Sequence, residues 1–139
     1  LARQAMELLG MPDAKIGVAG FNAHCSENGL FGDEEARAII PAIEQAQAEG
    51  INVDGPVPPD TVFVKAQAGQ YGIVVAMYHD QGHIPLKLAG FKLDLKTNKY
   101  TAMSGVNSAP PLTTAPPSAR PVRGARTRRA LLTPWIWRF

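Results

Sequence analysis

The stretch YGIVVAMY at residues 71–78 is the feature that most restricts the fold. Apolar residues run through it without alternation, so a strand built from it must be buried on both faces. That requirement points to a central strand of a mainly parallel sheet with helices packed against either side. Directly behind it, HDQGHIPLK (79–87) sets two histidines, an aspartate, a glutamine and a lysine at the strand's end. Ligand sites of open α/β sheets gather at the carboxyl ends of strands.

The preceding residues supply partners for that strand. KIGVAGF (15–21) is an apolar run of strand length, followed by the polar loop NAHCSENGLFG (22–32). DEEARAIIPAIEQAQAEG (33–50) reads as helix: Asp33 can cap it, acids occupy its first turn, and Gly50 ends it. Pro41 interrupts the pattern, so a short helical turn should end near residue 39 and a second helix should begin with Pro41 at its first position. INVDGPVPPDT (51–61) is a short strand running into a Pro-rich turn, and a brief polar segment leads on to residue 71. LARQAMELLG (1–10) reads as the end of an amphipathic helix closed by Gly10, with Leu1, Ala5, Leu8 and Leu9 on one side. Without an initial Met, the chain reads as a part of something longer. The expected class is therefore α/β, a mainly parallel sheet flanked by helices.

Several settings are excluded on composition. A single cysteine, Cys25, rules out an internal disulfide and suits a reducing, cytoplasmic environment. No window approaches 18 apolar residues, and no basic segment followed by an apolar core opens the chain. Charge divides the sequence in two. Residues 1–107 carry 8 Lys and Arg against 12 acids, a net of −4, whereas residues 108–139 carry six arginines, no lysine and no acid. That second part also holds six of the 12 prolines. It is expected to be unstructured, because such a composition cannot build a packed core.

The polar clusters admit more than one chemistry. His79 and His83 have the i, i+4 spacing of a metal-binding helical pair, but Gly82 and Pro85 favour a loop entering a helix there. His24 and His79 form a second pairing, distant in sequence yet both at expected strand ends. Asp60 and Asp80 can orient an imidazole or serve as acid/base groups, although Asp60 after two prolines also suits a turn. Lys87 can hold a phosphate or carboxylate as a point charge, or stand as one more solvated lysine.

Three ordered blocks settle the comparison: FNAHCSENGLFGDEE with IIPAIEQ, GINVDGPVPPDTVF, and VVAMYHDQGHIPLKLAGF. Together they resemble the 4-hydroxythreonine-4-phosphate dehydrogenase family of pyridoxal phosphate biosynthesis. YHDQGHIPLK and FKLDLKTNKYTAMSGVN are similar to the branch that oxidises four-carbon acid sugar 4-phosphates such as threonate or erythronate 4-phosphate. The resemblance implies a partial domain of an isocitrate/isopropylmalate dehydrogenase-like fold, with residues 1–107 as the metal- and substrate-binding, dimer-forming part. It also implies one divalent metal ion (Zn, Co, Mg, Ni or Mn) shared between the subunits of a homodimer. His24 and His79 match two of the family's three histidine ligands, and the third falls upstream of this chain. Lys87 and Asn107 match substrate-binding positions, while Asp60 and Asp80 match acidic positions of the same site. The implied reaction is oxidation, with decarboxylation, of a small phosphorylated hydroxy acid by NAD or NADP. No Gly-x-Gly-x-x-Gly is present, so no residue here is assigned to the nicotinamide cofactor.

Two departures accompany the resemblance. Where the family has NPHAGE, this chain has Ala23, Cys25 and Ser26 within the pattern. After Asn107 the likeness stops, and the Arg- and Pro-rich run reads as GC-rich DNA translated out of frame. A basic tail anchored by WIWRF is the alternative reading of that run. No nucleic-acid or membrane partner is expected. The chain alone is expected to be inactive, with the dehydrogenase activity belonging to the whole protein. Two rival readings are a self-sufficient metal module on His24, His79 and His83, and a non-enzymatic dimerising fragment.

Overall fold

The computed structural model describes residues 1–102, 107–108 and 135–138. Strands β1 (Ile16–Ala19), β2 (Val53–Val57) and β3 (Ile73–Ala76) form a parallel trio in the order β2-β1-β3. Two short strands, β6 (Asn107–Ser108) and β7 (Trp135–Arg138), extend the sheet beyond β3 with antiparallel pairing. The unstructured tail expected for 108–139 thus lies outside the described residues except at Ser108 and Trp135–Arg138, which are strand residues.

Helices cover both faces, as the unalternating strand requires. Val74 and Ala76 face a core built with Val62, Phe63 and Ala66 of α3 (Pro59–Gln67) and Leu86 of α4 (His79–Gly90). Ile73 and Val75 face the opposite side. There Met6 of α1 (Ala2–Leu8) packs on Ile16 and Ile73, and Ile39 and Ile43 pack on Met77. The face of α1 differs from the sequence expectation: Met6 is the buried residue, with Ala2 and Ala5 beside it, while Leu8 is 89% exposed. Gly10, at φ +72°, closes that helix as expected.

The boundary expected at Pro41 is present: one helical turn ends at Ile39, and the next helix begins at Ile40 with the proline at its second position and not its first. The first turn is a π turn, Glu35–Ile39, and it meets α2 (Ile40–Ala48) with no loop between, since both Ile39 and Ile40 keep right-handed helical angles. The wider turn lets Ile40 N–H bond the Glu35 carbonyl just before the proline, whose missing N–H and ring then cause no clash. The Pro-rich segment after β2 is likewise more regular than expected. Pro59 occupies the first helical position, where its fixed φ and absent N–H suit a helix start, and α3 runs through the polar stretch.

Beyond α4, strands β4 (Phe91–Asp94) and β5 (Lys99–Ala102) make a two-stranded antiparallel hairpin. Phe91, Leu93 and Tyr100 line an open hollow of about 710 Å³ together with Ile84, Lys87 and Leu88 of α4. No helix among the described residues is long and apolar enough to cross a membrane.

One glycine is fixed by packing. The Tyr71 ring crosses Gly17 of β1, and its hydroxyl donates to Asp54 Oδ2 on β2 at 2.8 Å. Burial, that bond and the Asp54 charge push the Tyr71 phenol up to about 12. A Cβ at residue 17 would meet the ring carbons at 2.8 Å. Gly17→Ala should therefore cost about 1–3 kcal/mol, as overpacking does, and urea unfolding at neutral pH measures it.

Candidate functional site

Parallel β1, β2 and β3 place the ends Ala19, Val57 and Ala76 along one edge of the sheet. The elements that follow them are tied together at that edge. Gly20 N–H donates to the Val57 carbonyl at 2.9 Å, joining the β1 and β2 ends. Gln81, 7% exposed, joins β1 to β3 with both ends of its carboxamide: Nε2 donates to the Gly20 carbonyl at 2.8 Å, and Oε1 accepts Met77 N–H at 2.7 Å. Phe21 meets Tyr78 edge to face, with ring centroids 6.0 Å apart. The His24 loop and the head of α4 are thus neighbours, as the position of both stretches behind apolar strands had suggested.

The His24 loop has an unusual hand. His24, Cys25, Ser26, Glu27 and Asn28 all have φ between +44° and +70°. For residues with a Cβ this left-handed region costs roughly 1–2 kcal/mol each. Ser26 stands where the family pattern has glycine, at φ +70°, and its hydroxyl donates to the Gly32 carbonyl. Further bonds tie the segment at both ends. Glu35, 2% exposed, accepts Phe21 N–H at 2.8 Å and Asn22 N–H at 2.7 Å on Oε1, and Asn22 Nδ2 at 2.8 Å on Oε2. Asn22 Nδ2 also donates to Glu34 Oε2 at 2.8 Å. Hydrogen bonds to a buried charged acceptor such as Glu35 contribute about 1.5–3 kcal/mol each, the same order as the cost of the turn. Gly20 leaves room for this closure, since a Cβ there would meet Cys25 Sγ at 2.7 Å and Glu35 Oε1 at 3.2 Å.

His79 opens α4 rather than sitting in a loop before it. The expectation of a loop gives way because Gly82 is buried within the helix and Pro85 lies in its interior. His79 and His83 consequently share a helix face and stack, with centroids 3.8 Å apart and planes 13° apart. A ligated metal lies close to the plane of its imidazole, and two stacked, nearly parallel planes offer no common point. As placed, these two rings do not form the i, i+4 metal pair. His79 Nδ1 instead lies 2.8 Å from Asp80 Oδ1, a contact that holds the ring in the tautomer protonated at Nδ1. Burial, with His79 and Lys87 nearby, pushes His83 below the ordinary histidine value against the opposing pull of Asp80.

The remaining expected residues spread outward from this edge. Asp60 lies in the first turn of α3 and, with Glu35, adds to the burial that pushes the Cys25 thiol up, against a backbone hydrogen bond at Gly20. Lys87 lies two helical turns beyond His79, about 12 Å along the axis, and lines the hollow beside the hairpin. Asn107 is in β6, whose backbone pairs with β7 two strands from β3. Among the described residues no three His, Cys, Asp or Glu side chains cluster as a complete metal site. Glu35 and Gln81 were not singled out from sequence. The first was hidden in a run of acids suited to any helix start, the second among the titratable groups of HDQGH.

Fold and site together define an α/β domain that brings the His24 loop and the His79 helix start to the carboxyl edge of a parallel sheet. Residues 1–113 match the family described as pyridoxal phosphate biosynthetic protein PdxA, and the chain belongs to that family. It is 59% identical over 91 residues to D-threonate 4-phosphate dehydrogenase of Salmonella typhimurium, covering 66% of this chain and 28% of that protein. It is 53% identical over 92 residues to 4-hydroxythreonine-4-phosphate dehydrogenase of Beijerinckia indica, covering 66% and 27%. The crystal structure of 4-hydroxythreonine-4-phosphate dehydrogenase from Klebsiella pneumoniae superposes with a TM-score of 0.62 at 56% identity, covering 64% of this chain and 27% of that one. The chain therefore spans little more than a quarter of the length of these relatives.

The Glu35 carboxyl makes the loop sensitive to acid. Burial pushes its value up, but the bonds from Asn22, from its own N–H and from Phe21 outweigh this and hold it below the ordinary range. A folded value lower than the unfolded one adds stability that is complete above about pH 4.3 and is lost as pH falls through the folded value. Glu35→Gln should be less stable than the unmodified chain at pH 7 and should lose less stability on acidification. Urea midpoints measured from pH 7 downward check both signs.

Proposed function

We propose that this chain is the strand-edge part of a dehydrogenase acting on a phosphorylated four-carbon hydroxy acid, D-threonate 4-phosphate or 4-hydroxythreonine 4-phosphate. The supporting observation is the head of α4, where Asp80 orients His79 beside the His24 loop in a chain belonging to this family. The finer reading of the fold, a part of an isocitrate/isopropylmalate dehydrogenase-like domain, belongs to the same proposal, as does a homodimer that shares the metal.

The donor set fits a divalent ion. Neutral imidazoles suit first-row metals, and the Asp80 contact raises the basicity of His79 while fixing its ring. His24 and His79, both exposed, would hold the ion from this chain. A bound divalent ion supplies Lewis-acid polarisation of a substrate hydroxyl, and NAD or NADP supplies the hydride acceptor. Lys87, exposed at the open hollow beside the hairpin, would grip the phosphate as a point charge. Asn107 would add a neutral hydrogen-bonding group to the substrate's hold. Asp60, in the first turn of α3, would be the group that exchanges a proton with bound substrate.

The rival three-histidine module is tested by the same experiment. Titrating the chain with Co²⁺ and following its visible absorption, His24→Ala and His79→Ala should each abolish binding, and Asp80→Asn should weaken it about 10–100-fold. His83→Ala should leave it unchanged. Loss of binding in His83→Ala, or its retention in His79→Ala, would reject this assignment.

A further inference from the structure

We propose that Glu35 is a positioning residue, its buried carboxylate holding the left-handed turn from which His24 projects. The inference rests on His24 being a metal ligand, as argued under Proposed function.

Three observations carry it. Glu35 is buried to 2% exposure at the start of the π turn, and its carboxylate is met by N–H donors of Phe21 and Asn22. A buried carboxylate held this way is a strong and directional anchor, because burial raises the cost of leaving it unbonded. Those donors lie two and three residues before His24, at the entrance to five consecutive residues of positive φ. The anchor therefore acts at the entrance to the turn. On the other side, Gln81 fixes the Gly20 carbonyl to the turn leading into α4. Glu35 and Gln81 thus grip successive residues of the same segment from two different helices, so His24 is located relative to both.

Glutamine at this position keeps the shape but sets an amide donor against the donor nitrogen of Asn22. Aspartate keeps the charge on a shorter stem. Amide hydrogen exchange of the metal-free 139-residue chain reads the turn at Gly29 and Phe31, whose N–H groups donate to the Ser26 carbonyl and not to Glu35. Glu35→Gln should speed exchange there about tenfold more than at Val74 and Val75 in the central strand, as local opening does. Glu35→Asp should give a smaller effect of the same pattern, and it decides the matter if the glutamine variant does not fold. Equal acceleration at all four amides, or none at Gly29 and Phe31, would overturn the proposal. In Co²⁺ titrations Glu35→Gln should weaken binding about 10–100-fold. An unchanged affinity alongside faster exchange would also overturn the positioning role. If the unmodified chain takes up no Co²⁺, the metal assignment under Proposed function fails, and exchange at Gly29 and Phe31 still decides whether Glu35 holds the turn.

Discussion

Everything at the candidate site depends on β1 lying between β2 and β3 with all three strands running the same way. Parallel pairing delivers three chain exits to one edge, each followed by a loop or helix start. An antiparallel arrangement would have sent the His24 loop and the head of α4 to opposite ends. The edge is then locked by polar groups that sit at or near full burial: Gln81 across β1 and β3, Glu35 beneath the first loop, and Gly20 N–H on the end of β2. The apolar core supplies the packing, and these few bonds set the alignment.

The architecture was legible because its main signal is one of composition along a strand. An unalternating apolar run permits few environments, and the polar cluster behind it marked the edge. What escaped was local geometry set by tertiary contact. Met6, and not Leu8, is the buried residue of α1 because its side chain fills space beside Gly72 and Ala14, a detail that helical periodicity does not carry. Pro41 marked the division between two helical segments correctly, but nothing in the sequence says that the first of them is a π turn joined directly to the second.

The site was legible in part for a similar reason. Histidines, aspartates and a lysine near strand ends announce themselves by residue type. The stacking of His79 on His83 follows only once α4 is known to begin at His79. Glu35 and Gln81 look like ordinary surface residues in sequence, and their importance arises entirely from the loop that folds against them. Two of the departures from the family pattern, Cys25 and Ser26, have partners close to the loop. Cys25 fills the space over Gly20, and Ser26 answers its own backbone strain with a hydroxyl bond.

The hand of that turn has a stereochemical consequence. Reversing the sense of a helical turn swaps the side from which each Cα–Cβ bond leaves the backbone. The same five residues wound the ordinary way would send their side chains in other directions, and the thiol now lying over Gly20 would no longer face the carboxylate beneath it. The direction in which the His24 side chain leaves the loop is therefore written in the hand of the main chain, and a mirror-image residue at position 24 or 26 would meet this backbone with less strain than the natural one.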